Sequence, residues 1–151
     1  MEIKKGRGFT LLEVLLVIAI IAILAAIVII AINPGKQLAE SRNAQRQTDV
    51  QTISNAIYQY MIDNNGSTPT IPTTATEICA TTGAVPCTGL VDLGAVLTDK
   101  KYVAEWPLEP VVANRAANGI GYTILKDTVN SNRITVAAPD AELSKTISIV
   151  R

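Results

Sequence analysis

The sequence contains no histidine and only two cysteines. Without an imidazole or a second cysteine pair, the usual ligand sets for a bound transition metal are missing. No Ser/Lys pair, no paired-carboxylate arrangement and no glycine-rich phosphate loop after a strand stands out either. The common enzyme chemistries therefore lack their residues. The chain reads as a non-enzyme with no cofactor. An excess of one charge is also absent, since 13 basic and 13 acidic side chains cancel. Residues 1–8 hold Lys4, Lys5, Arg7 and Glu2, and setting them aside leaves ten basic and twelve acidic groups. A faintly acidic remainder is a poor sequence-independent binder of nucleic acid, which calls for clustered Lys and Arg. Lys36, Arg42 and Arg46 make one small basic cluster, which would face other subunits or lipid headgroups as readily as DNA.

What is present is concentrated near the start. Val14 through Ile32 is an unbroken apolar run, about 28 Å long as a helix and enough for a bilayer core. No Ala-x-Ala triplet occurs between Val14 and Asn33. The basic residues and Gly8 stand before the run, whereas a secretory signal is cut after its apolar core. Processing at Gly8 would leave the apolar helix on the mature protein. Glu13 is the anomaly, because an acidic residue at the centre of a membrane helix costs about 3 kcal/mol, less toward the interface. Such a carboxylate implies a partner.

Flanking charge leaves the orientation open, with Lys4, Lys5 and Arg7 before the span and Lys36, Arg42 and Arg46 after it. The cysteines bear on it. Cys79 and Cys87 bracket a turn-rich Ala-Thr-Thr-Gly-Ala-Val-Pro segment, a spacing that suits one disulfide in an oxidising compartment. Two free thiols are the alternative. On the disulfide reading, residues 33–151 lie outside the cytoplasm.

Along the chain, residues 1–8 read as a leader, 9–32 as a transmembrane helix, 33–63 as an amphipathic helix and 64–151 as an extracytoplasmic globular domain. The helix is expected to begin at Phe9. Asn33-Pro34-Gly35 predicts either a kink or a fresh start, with Asn33 as N-cap and Pro34 at the first helical position. Val50, Ile53, Ile57, Tyr60 and Met61 recur at helical spacing as a core-facing stripe. Arg42, Arg46, Asp49, Gln51 and Gln59 read as lying mainly off it. Asn64-Asn65-Gly66 is a stop signal. It overlaps an Asn-x-Ser triplet, Asn65-Gly66-Ser67, the N-glycosylation pattern.

Residues 67–90, rich in Thr, Pro and Gly, read as a surface loop, and Asp92 to Val103 as a short helix with Leu93, Val96, Leu97 and Val103 inward. Three strands are expected at Tyr122–Lys126, Arg133–Ala137 and Lys145–Arg151, with Val129-Asn130-Ser131-Asn132 turning between the first two. The fold class is α+β, a long N-terminal helix whose second half packs on a small C-terminal antiparallel sheet. About 90 residues beyond Met61 make a marginal core on their own, so helix and staple both matter.

The stretch Lys4-Lys5-Gly6-Arg7-Gly8, then Phe9-Thr10-Leu11-Leu12-Glu13 and the apolar helix, resembles the N-terminal signature of type IV prepilins and pseudopilins. Arg46 to Gly66, Pro107-Leu108-Glu109-Pro110 and Gly121-Tyr122-Thr123-Ile124 resemble the family's ectodomains more loosely. The resemblance implies cleavage between Gly8 and Phe9 by a prepilin peptidase/methyltransferase, N-methylation of Phe9, and a charge pair between Glu13 and the Phe9 amine of a neighbouring subunit. It implies a homopolymer with itself and related pilins, built by an inner-membrane platform protein and an assembly ATPase. The precursor would be a single-pass plasma-membrane protein, and the mature form part of a cell-surface or periplasmic filament.

There are departures from the family. The glycine and proline of many Gram-negative pilins fall here on Ala22 and Ile30. Ala22 and Ala26 are spaced for close helix approach, as ordinary membrane filler also would be. Pro107-Leu-Glu-Pro110 is similar to a Pro-x-Asp-Pro element of major pseudopilins, with glutamate for aspartate. A calcium ion there would draw on Glu109, and no full set of oxygen ligands accompanies it. The alternatives to a pilus subunit are a pseudopilin of a type II secretion or competence (DNA uptake) system and a signal-anchored extracytoplasmic binding module.

Overall fold

A computed structural model describes residues 8–80, 86–129 and 132–151. The leader up to Arg7, and Asn130 and Ser131 of the expected turn, lie outside the described residues. The chain divides into two compact units, Met1–Leu38 and Ala39–Arg151.

In the first unit, α1 (Leu11–Ile32) is a 22-residue helix with no buried residue. It starts two residues later than expected. Thr10, with extended backbone (ψ 152°), takes the N-cap position and Glu13 the third helical position of a capping box. At the other end Asn33 adopts a left-handed conformation (φ 48°, ψ 80°) that closes α1. Its side-chain Oδ1 accepts the Lys36 N–H at 3.3 Å, and its carbonyl accepts Lys36 and Gln37 N–H groups at 3.1 and 3.3 Å. Asn33 thus caps both helices. Pro34 opens α2 (Pro34–Asp63), at the position where its missing N–H removes nothing from the helix. Of the two sequence expectations, the fresh start is the one observed.

In the second unit, α2 buries Ala39, Asn43, Arg46, Asp49, Val50, Ile53, Ser54, Ala56 and Ile57. The apolar members are as expected, with Tyr60 and Met61 partly buried against the same core. Arg46 and Asp49 correct the sequence reading, because they sit on the buried stripe rather than off it. The helix ends as expected at Asn64-Asn65-Gly66. Asn65 and Gly66 take positive φ (54° and 82°), and the Gly66 N–H returns to the Met61 carbonyl at 2.7 Å.

The sheet has four antiparallel strands in the order β1-β2-β3-β4: β1 (Thr76–Cys79), β2 (Gly119–Asp127), β3 (Arg133–Ala138) and β4 (Ile147–Val150). The last three match the expected strands. β1 falls inside the stretch read as loop. Its four residues are too short to show a period, and the Thr/Pro-rich flank hides them. Ile120, Tyr122 and Ile124 of β2 and Ile134, Val136 and Ala138 of β3 alternate inward and meet the α2 stripe in one core. Each fully buried aliphatic there contributes about 1.5–3 kcal/mol.

The expected helix from Asp92 to Val103 is much shorter, α3 (Gly94–Leu97), followed by a single 3-10 turn at Thr98–Lys100. Left-handed Asp99 and Lys100 stop it. Leu93 and Val96 still point inward and are buried.

Candidate functional site

Two constellations stand out, one in each unit. In the first, Gly8 and Phe9 precede α1 in exposed backbone, with Phe9 87% exposed. A side chain at Gly8 would meet nothing within 4 Å. Glu13 Oε2 accepts the Thr10 N–H at 2.8 Å and the Thr10 hydroxyl at 3.0 Å, while the Glu13 N–H donates to Thr10 Oγ1 at 3.2 Å. Glu13 Oε1 has no partner among the described residues. Below it α1 is apolar on every side, with Ala22 and Ala26 as exposed as the rest. It is long and apolar enough to cross a membrane. Its backbone groups are satisfied within the helix, which hydrocarbon requires. So large an apolar surface calls for lipid or another apolar surface to cover it.

In the second unit a polar seam runs beneath α2. The Arg46 side chain is fully buried, as is that of Glu109. Arg46 Nε donates to both Glu109 oxygens at 3.0 and 2.9 Å, and Nη2 donates to Oε1. Its Nη1 reaches Asn43 Oδ1 and Glu142 Oε2, each at 2.9 Å. Arg42 forks onto the same Glu142 carboxylate at 2.7 and 2.5 Å. Asn43 exchanges two further bonds with the Glu142 backbone, Nδ2–H to its carbonyl at 2.7 Å and Oδ1 from its N–H at 2.9 Å. Next along the helix, the Tyr122 hydroxyl donates to Asp49 Oδ2 at 2.6 Å.

The charges respond to this setting. Arg42 and then Arg46 hold the Glu142 carboxyl down at about 2. Hydrogen bonds from its guanidinium to Glu109 push Arg46 above its ordinary value. Burial raises Asp49 against the opposing pull of the Tyr122 bond, and burial together with Asp49 raises Tyr122. Every charge in the seam therefore has a partner, and its work is to join α2 to the Pro107–Pro110 segment and to the β3–β4 connection.

One expectation is corrected here. Arg42 and Arg46 are engaged with Glu142 and Glu109, so they form no basic cluster turned toward other subunits or headgroups. Both Glu109 oxygens accept from Arg46. No group of three or more potential metal-ligating side chains occurs among the described residues. Sequence reasoning missed Glu142 altogether and read Tyr122 only as part of a strand. The helical spacing of Ala39, Asn43, Arg46, Val50, Ile53 and Ile57 held a signal for Arg46 that the sequence reading, which set Arg46 off the stripe, did not use.

Cys79 and Cys87 are bonded, with their Cα atoms 5.7 Å apart.

Residues 3–32 match the family model for the prokaryotic N-terminal methylation motif. This is the type IV prepilin and pseudopilin signature. No curated protein and no solved structure gives a significant match to the chain. The match covers 30 of the 151 residues and marks the N-terminal segment as prepilin-like. Gly8, Phe9 and Glu13 all lie within the matched residues, and the α+β arrangement is like that of type IV pilins.

Proposed function

We propose that this chain is the precursor of a structural subunit of a type IV pilus or pilus-like filament. The observation that carries the reading is α1, a prepilin-signature helix without one buried residue. The same apolar surface suits a bilayer before assembly and neighbouring helices after it.

A prepilin peptidase/methyltransferase would cut the Gly8–Phe9 bond, free the Phe9 amine and methylate it. Glu13 then meets the Phe9 amine of a neighbouring subunit. Its Oε2 is already held by Thr10, and Oε1 is available to a second donor. Pairing the two charges in an apolar filament core relieves the cost of leaving either alone. The platform protein and assembly ATPase of the inner membrane would drive polymerisation. The Cys79–Cys87 bond supports an extracytoplasmic position for the chain beyond Asn33.

Mass spectrometry of the mature N-terminus tests processing: N-methylated Phe9 is expected, and an intact Met1 would instead indicate a signal-anchored module. Glu13→Ala is expected to be processed normally yet to stay out of filaments. Incorporation of that variant at the wild-type level would sink the charge-pair step.

A further inference from the structure

β1 pairs with β2 along one edge, so its other edge would be the open margin of the sheet. It is not bare. The segment from Cys87 to Leu93 lies along it as a strap. The Cys79 N–H donates to the Val91 carbonyl and the Val91 N–H donates to the Glu77 carbonyl, each at 2.9 Å. These bonds frame a parallel bridge between Ile78 and Val91.

The strap is anchored at both ends. Downstream, Leu93 and Val96 are in the core. Upstream, the anchor is the disulfide, with a tight turn behind it: Leu90 N–H bonds the Cys87 carbonyl at 3.0 Å, and Gly89 has φ 77°. Between the anchors, among the described residues, two edge hydrogen bonds and the Val91 side chain oppose the entropy of ordering the segment. The bond from Cys79 to Cys87 ties the upstream end of the segment to β1. The two cysteine residues also differ in exposure. Cys79 is 1% exposed, whereas Cys87 is half-buried at the surface end of the strap.

We propose that Cys79–Cys87 is a thiol–disulfide latch on the outer edge of β1, and that Cys87 is the sulfur through which disulfide-exchange partners act. In opening, a thiolate of the reductant attacks Cys87 Sγ, the Cys79–Cys87 bond breaks, and Cys79 leaves as a thiolate that takes up a proton. A second reductant thiolate then resolves the mixed disulfide, releasing Cys87. Closing runs back through the same Cys87 mixed disulfide. There the two cysteine thiols give up two electrons and two protons to the disulfide of a thiol–disulfide oxidoreductase, which becomes a dithiol. Shut, the strap occupies backbone groups that would otherwise template another strand. Open, β1 offers them to a second copy. The latch is independent of which filament the subunit builds.

The test uses the full-length protein in detergent micelles. Hydrogen exchange is followed with and without reductant, and in Cys87→Ser without reductant. The Cys79 and Val91 amides are expected to exchange more than about tenfold faster in both opened forms, with the β2–β3 amides still protected. Unchanged exchange at those two amides overturns the latch. So does loss of β2–β3 protection in step with them, which would make the disulfide a staple of the whole domain. Separately, the wild-type protein is briefly reduced with glutathione and acid-quenched. The trapped adduct is expected on Cys87, and an adduct on Cys79 overturns the assigned entry sulfur.

Discussion

Arg46 and Glu109, 63 residues apart in sequence, form a forked ion pair with both side chains fully buried. The pair fixes the Pro107–Pro110 segment against α2. A buried ion pair is poor evidence of net stabilisation, but removing one member is costly because the other charge is stranded. Glu109→Ala is expected to lower unfolding free energy by about 3–5 kcal/mol. Arg46→Met/Glu109→Leu together should recover most of that loss. Chemical denaturation of the four forms gives the coupling, and additive losses would show that the two side chains act separately.

The acid limb of stability is expected to depend on Glu142. Its folded value of about 2 lies below its ordinary 4.5, so its contribution is complete above the ordinary value. It is lost as pH falls through the interval between the two. Glu142→Gln should flatten the denaturation midpoint across that window. Asp49 has the opposite sign. Burial raises it, so the folded state holds its proton longer, and this group favours folding less as pH rises through its titration. Asp49→Asn should therefore leave the Glu142 window in place.

Gly121 and Gly66 share a left-handed backbone, φ 83° and 82°, yet they should respond differently to alanine. A Cβ at Gly66 meets nothing within 4 Å, while one at Gly121 falls 2.4 Å from Glu109 Cβ. Gly66→Ala should cost about 1–2 kcal/mol for the backbone alone. Gly121→Ala should add about 1–3 kcal/mol of overpacking and disturb the Arg46 pair. Thermal unfolding of both variants makes the comparison, and equal losses would mean that Glu109 moves aside freely.

Asn33→Ala should remove the side-chain cap of α2 and force alanine into a left-handed conformation. The expected cost is about 1 kcal/mol for the cap and a similar amount for the backbone. The local reading is amide exchange at Lys36, whose N–H now bonds Asn33 Oδ1. Exchange unchanged from wild type would show that the Asn33 carbonyl suffices.

The parts of this molecule legible in sequence are those set by neighbours along the chain. α1 follows from an uninterrupted apolar run, the end of α2 from Asn64-Asn65-Gly66, and three strands from their alternation. Gly8, Phe9 and Glu13, the residues proposed for processing and assembly, are legible as one local motif. The seam is not, because the partners of Arg46 and Asp49 lie 63 and 73 residues away, and a charged residue without its partner reads as a surface residue. β1 is hidden for a related reason. It is a strand only by virtue of β2 on one side and Val91 on the other.

Asn33 ends one helix and begins the next with a single residue. Helical order propagates because each turn supplies the hydrogen bonds of the following one, and starting afresh is costly. At Asn33 that propagation stops, and the new start is supplied by the cap and by the preset φ of Pro34. α1 and α2 are therefore separate melting units. Unwinding the last turn of the apolar helix costs its own bonds, and the polar helix keeps the nucleus from which it grows.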